Sequence, residues 1–444
     1  MLAILRHRTY RHLFLAQVIA LVGTGLATVA LGLLAYDIAG ADAGAVLGFA
    51  LAIKMVAYIG IAPIVGAYAD RLPRKGLLVA ADLLRAGVAL FLPFVDAVWQ
   101  VYVLIFVLQS ASAAFTPTFQ ATIPEILPDE EEYTRALSLS RLAYDLESLL
   151  SPALAAALLT VMSFHWLFGG TAIGFVASAL LVVTAALPHR AKVAKVAEGA
   201  WQKITRGTRI YLKTPRLLGL LAVTLAAAAG SAMVIVNTVV IVKGMGRAQE
   251  DVAMALAAYG GGSMLAALAL PRLLGRLSER TVMIAGAAML SALLLAFGAG
   301  TARNSGEIDW VILLCGWAVM GFAYAVCVTP AGRLLRRSSA DTDRPALFAA
   351  QFALSHVCWL IAYPVAGQFG ASFGMAAAFL LLSGIAAVGL LLGVRLWPTR
   401  DATEIFHAHP DLPPEHPHLL EFGTAEHRHA VVIDDLHTSW PGKG

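Results

Sequence analysis

Long apolar runs, broken by short polar stretches, dominate the chain from residue 12 to residue 397. They fall at about 12–36, 44–67, 76–95, 98–121, 137–162, 166–187, 216–242, 251–274, 281–300, 310–331, 346–369 and 374–397. Each matches the roughly 20 apolar residues that a helix needs to cross a bilayer. The runs are continuous, whereas the strands of a transmembrane β-barrel alternate apolar and polar positions. The pattern therefore predicts an all-α polytopic membrane protein with twelve transmembrane helices. Composition strengthens this: 59% of the 444 residues are hydrophobic and 14% are charged, against roughly 25% charged in soluble domains. A soluble enzyme and a disulfide scaffold are excluded.

The polar stretches carry the orientation. Of the 32 lysines and arginines, 27 fall on the side of the membrane that holds the N-terminus, loop 2/3, the central stretch, loops 4/5, 8/9 and 10/11, and the tail. By the positive-inside rule this predicts a bacterial inner-membrane protein with both termini in the cytoplasm. The net charge of +4 reflects that fence and gives no reason to expect nucleic acid. The first apolar run is longer than a signal-peptide core and lacks a small-x-small cleavage site, so it reads as a retained helix. Cys315, Cys327 and Cys358 lie within apolar runs, with neither zinc-site nor disulfide spacing.

The basic stretch 188–215 divides the chain into an N-terminal half (1–187) and a C-terminal half (216–397), followed by a tail (398–444). The halves carry weak internal repeats. Asp-Arg-Leu-Pro-Arg-Lys at 70–75 is echoed by Gly-Arg-Leu-Ser-Glu-Arg at 275–280, and Thr9-Tyr10-Arg11 before the first run by Thr214-Pro215-Arg216 before the seventh. Two six-helix halves joined by a cytoplasmic linker are the architecture of a rocking transporter.

The segment 66–75 resembles the loop 2/3 signature of the major facilitator superfamily, with Gly66, Asp70, Arg71, Arg74 and Lys75 matching and Pro73 in place of the second glycine. That replacement is similar to the branch of macrolide and siderophore exporters, as are Phe-Thr-Pro-Thr-Phe-Gln-Ala-Thr-Ile-Pro-Glu-Ile-Leu-Pro at 115–128 and Ser151-Pro152. Ser151, Ala153, Ala155 and Ala156 stand where antiporters of the superfamily often carry Gly-Pro and further glycines. The resemblance covers residues 8–397 and implies the major facilitator fold. It also implies that Gly66 allows close helix approach while Asp70 and the basic residues latch the cytoplasmic side.

Ionisable residues inside the spans are costly and need a reason. Asp82 and Arg85, three apart on one helical face, read as a structural pair. Asp145 and Glu147 point in nearly opposite directions on one helix, so one is expected to face a cavity and the other a neighbouring helix. Arg141, one turn before Asp145, is positioned to neutralise it, and Asp145 is the favoured cation or proton site. Lys54 and His356 lie mid-span in runs 2 and 11, which pack across the interface between halves in the superfamily. His356 is a candidate proton carrier. Gln17, Thr24, Gln109, Asn237 and Tyr324 are softer polar positions in spans that line the cavity of this fold. Gln17, Gln109 and Asn237 join Lys54, Asp145, Glu147 and His356 as candidates for substrate and proton coupling.

Beyond Pro398 the composition changes. Seven of the twelve histidines lie there: His407, His409, His416, His418, His427, His429 and His437, six of them in His-x-His pairs among carboxylates. Prolines forbid a continuous helix, so an extended or disordered cytoplasmic tail is expected, able to dock back on the loops. Imidazole with carboxylate suits nickel, cobalt or zinc. A nickel-resistance branch of the superfamily also ends in a histidine-rich segment, and residues 138–152 are similar to it.

The expected function is secondary active efflux by alternating access with proton antiport. A divalent cation, nickel or cobalt, is the first expected substrate. Export of hydrophobic drugs or siderophores is the alternative, and a non-transporting membrane metal sensor is a reading of another class. A monomer in the lipid bilayer is expected, exchanging protons for a small-molecule or metal-ion substrate, with no tightly bound cofactor and no nucleic acid. The glycines at 260–262 lack a following Lys-Ser/Thr, so no nucleotide-binding loop is present and no enzyme is expected.

Overall fold

The computed structural model describes residues 2–39, 43–68, 72–187, 199–247, 249–304, 308–399 and 404–408, and in the tail 413, 419, 426–429, 431–434 and 436–440. The N-terminal half holds α1 (Arg8–Ala39), α2 (Ala43–Tyr68), α3 (Arg74–Phe91), α4 (Val98–Ile126), α5 (Glu130–Leu159) and α6 (His165–Thr184). The stretch expected as a linker contains a helix, α7 (Ala200–Lys213). The C-terminal half holds α8 (Pro215–Gly244), α9 (Gln249–Leu274), α10 (Glu279–Arg303), α11 (Trp310–Val328), the short α12 (Ala331–Arg337), α13 (Arg344–Pro364), the single turn α14 (Gly370–Phe373) and α15 (Met375–Leu396). Ten helices among the described residues are long and apolar enough to cross a membrane, and Ala52–Tyr68 of α2 is a shorter apolar stretch. With α5, 30 residues long, these make the twelve spans.

Local signals set the helix ends. Asp129 caps α5 by accepting from the Glu132 amide at 2.8 Å, with Glu130, Glu131 and Glu132 filling its first turn, where carboxylates oppose the positive helix end. Asp309 caps α11 by accepting from the Val311 and Ile312 amides. Pro215 opens α8, where its missing N–H costs nothing.

With little hydrophobic force between helices in lipid, packing rests on small residues that let backbones approach. The contact of α9 with α11 shows this from both sides. A Cβ on Gly262 would stand 1.7 Å from the Ala318 carbonyl oxygen, and one on Gly321 would stand 1.8 Å from that of Tyr259. Asp82 and Arg85 form the expected structural pair. They bind each other in the interior, Ser178 of α6 donates to Asp82 at 2.7 Å, and the guanidinium lies between the Phe115 and Phe175 rings.

The halves meet chiefly through α2 against α13 and α5 against α9. These pairs are counterparts by position in the repeat. At one end of the bundle lie the start of α1, the α3, α5 and α10 N-termini, α7, α12 and the tail. Thr9 reaches the Ala186 carbonyl there, and Arg280 the Trp397 carbonyl. This is the basic end.

The tail differs from a fully extended segment. Ile405–Ala408 (β1) pairs antiparallel with Glu426–His429 (β2), placing His407 opposite His427. Residues 431–434 and 436–440 then dock on the C-terminal half. Lys213 donates to the Thr438 carbonyl at 2.8 Å, Arg216 lies 4.9 Å from the Trp440 ring centroid, and Ile433 is buried in the C-terminal core.

Candidate functional site

A cavity of about 640 Å³ lies between the halves, within the range of pockets for drug-sized ligands. It runs from the middle of the bundle, at Gln17, Lys54 and His356, toward the basic end, at Tyr133 and Gly332. Its lining is mostly aromatic and aliphatic. Among the described residues, Lys54 and Arg141 are its charged lining residues, and no aspartate or glutamate lines it.

Two polar assemblies shape its middle. In the first, Tyr58 of α2 donates its hydroxyl to Gln109 of α4 at 2.9 Å. Its ring faces α13, with centroids 4.8 Å from Phe352 and 4.7 Å edge-on to His356. Lys54, one turn earlier, has its ammonium 5.5 Å from the Tyr58 centroid. His356 is held by its own helix, Nδ1–H donating to the Phe352 carbonyl at 2.6 Å. In the second, Arg141 of α5 pairs with Asp145, donates to Ser263 of α9 at 2.9 Å, and lies 4.9 Å from the Tyr324 centroid on α11. One guanidinium thus joins α5 to two helices of the other half.

Among the residues singled out from the sequence, Gln17, Lys54 and His356 line the cavity; Gln17 accepts from Ser140 at 3.1 Å. Gln109 acts through Tyr58. Asp145 is buried in its pair with Arg141 and is not a lining residue. Glu147 turns toward α1, where a Cβ on Gly25 would stand 2.6 Å from its Oε1 and 2.1 Å from Ser151 Oγ. Asn237 is also away from the cavity. It donates to the Ala366 carbonyl at 3.0 Å, bracing a π turn over Val365–Phe369 where the regular helical ladder is broken. Thr24 bonds only its own helix, at the Ala20 carbonyl.

The basic end is closed by charge. Gly66 is in contact with α13, where a Cβ would stand 2.6 Å from that of Ala349. Arg74 is bound bidentate by Glu125 at the end of α4, and Arg344 of α13 approaches the same carboxylate at 3.8 Å. In the other half, Arg333 of α12 binds Glu279 at 2.9 Å and reaches across to Glu130 of α5 at 2.6 Å and to Thr134 at 2.8 Å. Lys75 is half-buried beside Arg74, and Asp70 and Arg71 lie outside the described residues. The sequence reading missed Glu125, Glu130, Glu279 and Arg333. Glu125 stood inside a quoted motif and Glu279 inside the repeat.

Helix α7 braces both halves at this end. Lys203 lies 5.2 Å from the Tyr68 centroid on α2, Arg206 binds Asp343 at 2.8 and 3.1 Å, and Gly207 packs against Ala346 of α13.

In the tail, the His427 and His429 rings stack with centroids 5.1 Å apart, and His437 meets His429 edge-on at the same distance. His437 Nδ1 lies 3.0 Å from Asp434 Oδ1. Burial raises the Asp434 carboxyl, but hydrogen bonds from the His437 side chain and from the His437 and Leu436 amides outweigh it and hold the group below the usual carboxylate range. His409, His416, His418 and the side chain of His407 lie outside the described residues. Among the described residues no group of three or more histidines, cysteines or carboxylates is arranged to hold a metal ion.

The family model of the Major Facilitator Superfamily matches residues 13–306 and 244–411. The chain belongs to that superfamily. Transporters of that superfamily are not enzymes. Macrolide efflux protein A of Streptococcus pyogenes is 28% identical over 148 residues, 32% of this chain and 36% of that protein. The match thus spans about a third of the relative's length. Among solved structures, a human organic anion transporter of this superfamily superposes with a TM-score of 0.70 at 14% identity, covering 87% of this chain and 99% of that one. A bacterial homologue of the iron transporter ferroportin in an outward-facing state gives 0.67 at 17%, covering 87% and 98%. At such identities the superpositions establish the fold.

Proposed function

We propose that this transporter exports amphiphilic organic molecules from the cytoplasm of a bacterial cell by alternating access, working as a monomer in the inner membrane. The observation that carries this reading is the central cavity: drug-sized, walled by aromatic rings and, among the described residues, free of lining carboxylates. Similarity to macrolide efflux proteins supports both the direction and the organic cargo. The basic end is the cytoplasmic face, because lysines and arginines concentrate there. The Glu125 and Arg333 clusters and the Gly66 contact then join the two halves at the cytoplasmic side.

Nickel or cobalt, the first expectation from the sequence, is less well supported as cargo. A divalent cation needs carboxylate, imidazole or thiolate ligands, and the lining offers two cationic side chains and one histidine. Among the described residues, His427, His429 and His437 stack on one another and no group of three or more histidines, cysteines or carboxylates is arranged to hold a metal ion.

Proton antiport is the coupling we propose, with Glu147 as carrier. Asp145 is answered by Arg141, whereas Glu147 forms no ion pair among the described residues and has Lys54 as the cation within electrostatic range. A carboxylate at membrane depth without a paired cation is where a proton is most readily exchanged. The test is energised everted vesicles: Glu147→Gln is expected to abolish export driven by a pH gradient while the protein inserts normally. Wild-type export of the same compound that is indifferent to the gradient would overturn the coupling.

A further inference from the structure

We propose that the central cavity selects amphiphilic organic anions, with the acidic group of the cargo bound at Lys54 and its apolar body against the rings of Phe352 and Trp359. This rests on the reading of the cavity as the transport site and names its substrate class.

Among the described residues, Lys54 and Arg141 are the full positive charges on the cavity wall, and no carboxylate shares that wall. The two cations are not equivalent. Arg141 binds Asp145 within its own helix and Ser263 across the boundary, with Tyr324 beneath it, so its charge is balanced and its donors are engaged. Lys54 forms no ion pair among the described residues and is half-buried at mid-span. An ammonium at that depth is costly unless something anionic or aqueous meets it. Glu147, within electrostatic range, turns its carboxylate to Gly25 on α1. The position facing Lys54 on the cavity side is therefore open to a ligand.

The surroundings suit one end of a molecule and not the other. Tyr58, on which Lys54 borders, has its hydroxyl engaged by Gln109 and its ring packed against Phe352 and His356, so it backs the lining ring of Phe352. Trp359 is fixed by its indole N–H, which donates to Ser231 at 3.0 Å. Phe352 completes the cluster at 4.8 Å from Tyr58. A rigid aromatic wall beside one ammonium recognises a carboxylate or sulfonate carried on an aromatic or aliphatic body. The same ammonium repels organic cations and metal ions at the same spot.

The test uses the full chain in lipid nanodiscs and three probes of one shape: pyrenebutyrate, pyrenebutanol and pyrenebutyl-trimethylammonium. Binding is read from Trp359 fluorescence, with Trp359→Phe identifying its share of the signal. The expected order is anion tighter than alcohol by about tenfold, the scale of one charge-assisted hydrogen bond, and cation weakest. Lys54→Gln is expected to bring pyrenebutyrate down to the level of the alcohol without changing the alcohol, and Lys54→Arg to restore the preference. The arginine variant also shows that the site tolerates substitution. Equal or reversed order in the wild type, or a Lys54→Gln variant that keeps its preference, would overturn the anion assignment and leave organic transport standing. Binding of none of the three would overturn both.

Discussion

Glu125 and Arg333 occupy matching places in the two halves and carry opposite charges. Each stands at the basic end of the fourth span of its half, Glu125 at the close of α4 and Arg333 in α12 just after α11, and binds the residue that opens the third span of that half, Arg74 for Glu125 and Glu279 for Arg333. Each is also approached from the other half by the residue that opens its fifth span, Arg344 or Glu130. The two-fold repeat has thus kept the geometry and inverted the charges. One cluster is arginine–glutamate–arginine and the other glutamate–arginine–glutamate, so neither half repels the other at closure.

Neutralising the centre of either cluster is expected to open the basic end. The side chains of Arg333, Glu125 and Arg344 are 14%, 11% and 9% exposed, so the loss is smaller than for a fully buried pair, about 1–3 kcal/mol. That corresponds to a shift of roughly five- to 150-fold in the balance of states. The measurement is maleimide labelling of a cysteine at Ala136 from the basic side, in a background lacking Cys315, Cys327 and Cys358. Arg333→Gln should label faster, and an unchanged rate would remove the latch from the account.

A side chain at Gly66 should act by sterics instead of charge. Its Cβ would meet that of Ala349 at 2.6 Å, closer than real contacts allow, so Gly66→Val should hold α2 and α13 apart. Transport is expected to fall at least about tenfold with membrane insertion unaffected. Ala349→Gly in the same chain should recover part of it. Normal transport by Gly66→Val would show that the close approach is dispensable.

Arg141 and Glu147 should separate in stability and coupling. Arg141→Ala leaves Asp145 buried without its cation, a loss of about 3–5 kcal/mol, and should lower the melting temperature sharply. Adding Asp145→Asn should recover much of it. Glu147→Gln should melt close to wild type. A large drop for Glu147→Gln, or none for Arg141→Ala, would reverse the roles assigned to them.

The tail should leave the body in acid. Asp434 is held below the usual carboxylate range by hydrogen bonds from His437 and Leu436. Its contribution to docking is therefore full above the free carboxylate value of about 3.9 and is lost as pH falls through its own lower value. Proteolysis of the tail by pepsin across this range should accelerate as that group protonates. Asp434→Asn should be cut readily at the top of the range as well, and equal protection in both proteins would remove Asp434 from the docking.

Much of the fold and part of the site were legible in the sequence, for a physical reason. In a span, each polar residue stands against an apolar background, so Lys54, Gln17, His356 and the Arg141–Asp145 spacing were visible at once. At the ends of spans charge is ordinary, and Glu125, Glu279 and Arg333 looked like any solvated residues. Their partners lie far away in sequence, as with Arg333 and Glu130. Tyr58, Phe352 and Trp359 looked like packing, because an apolar ring reads the same whether it faces lipid, a helix or a cavity. Asn237 read as a lining residue because only three dimensions reveal the broken helical turn it supports.

The central claim is that the cavity carries an organic cargo outward. Its most direct test is cellular accumulation of pyrenebutyrate, nickel and cobalt in a sensitive bacterium with and without this protein, and with Lys54→Gln. The account predicts lower pyrenebutyrate in cells that make the protein, reversal by Lys54→Gln, and unchanged nickel and cobalt. Lower nickel or cobalt with pyrenebutyrate unchanged would contradict it.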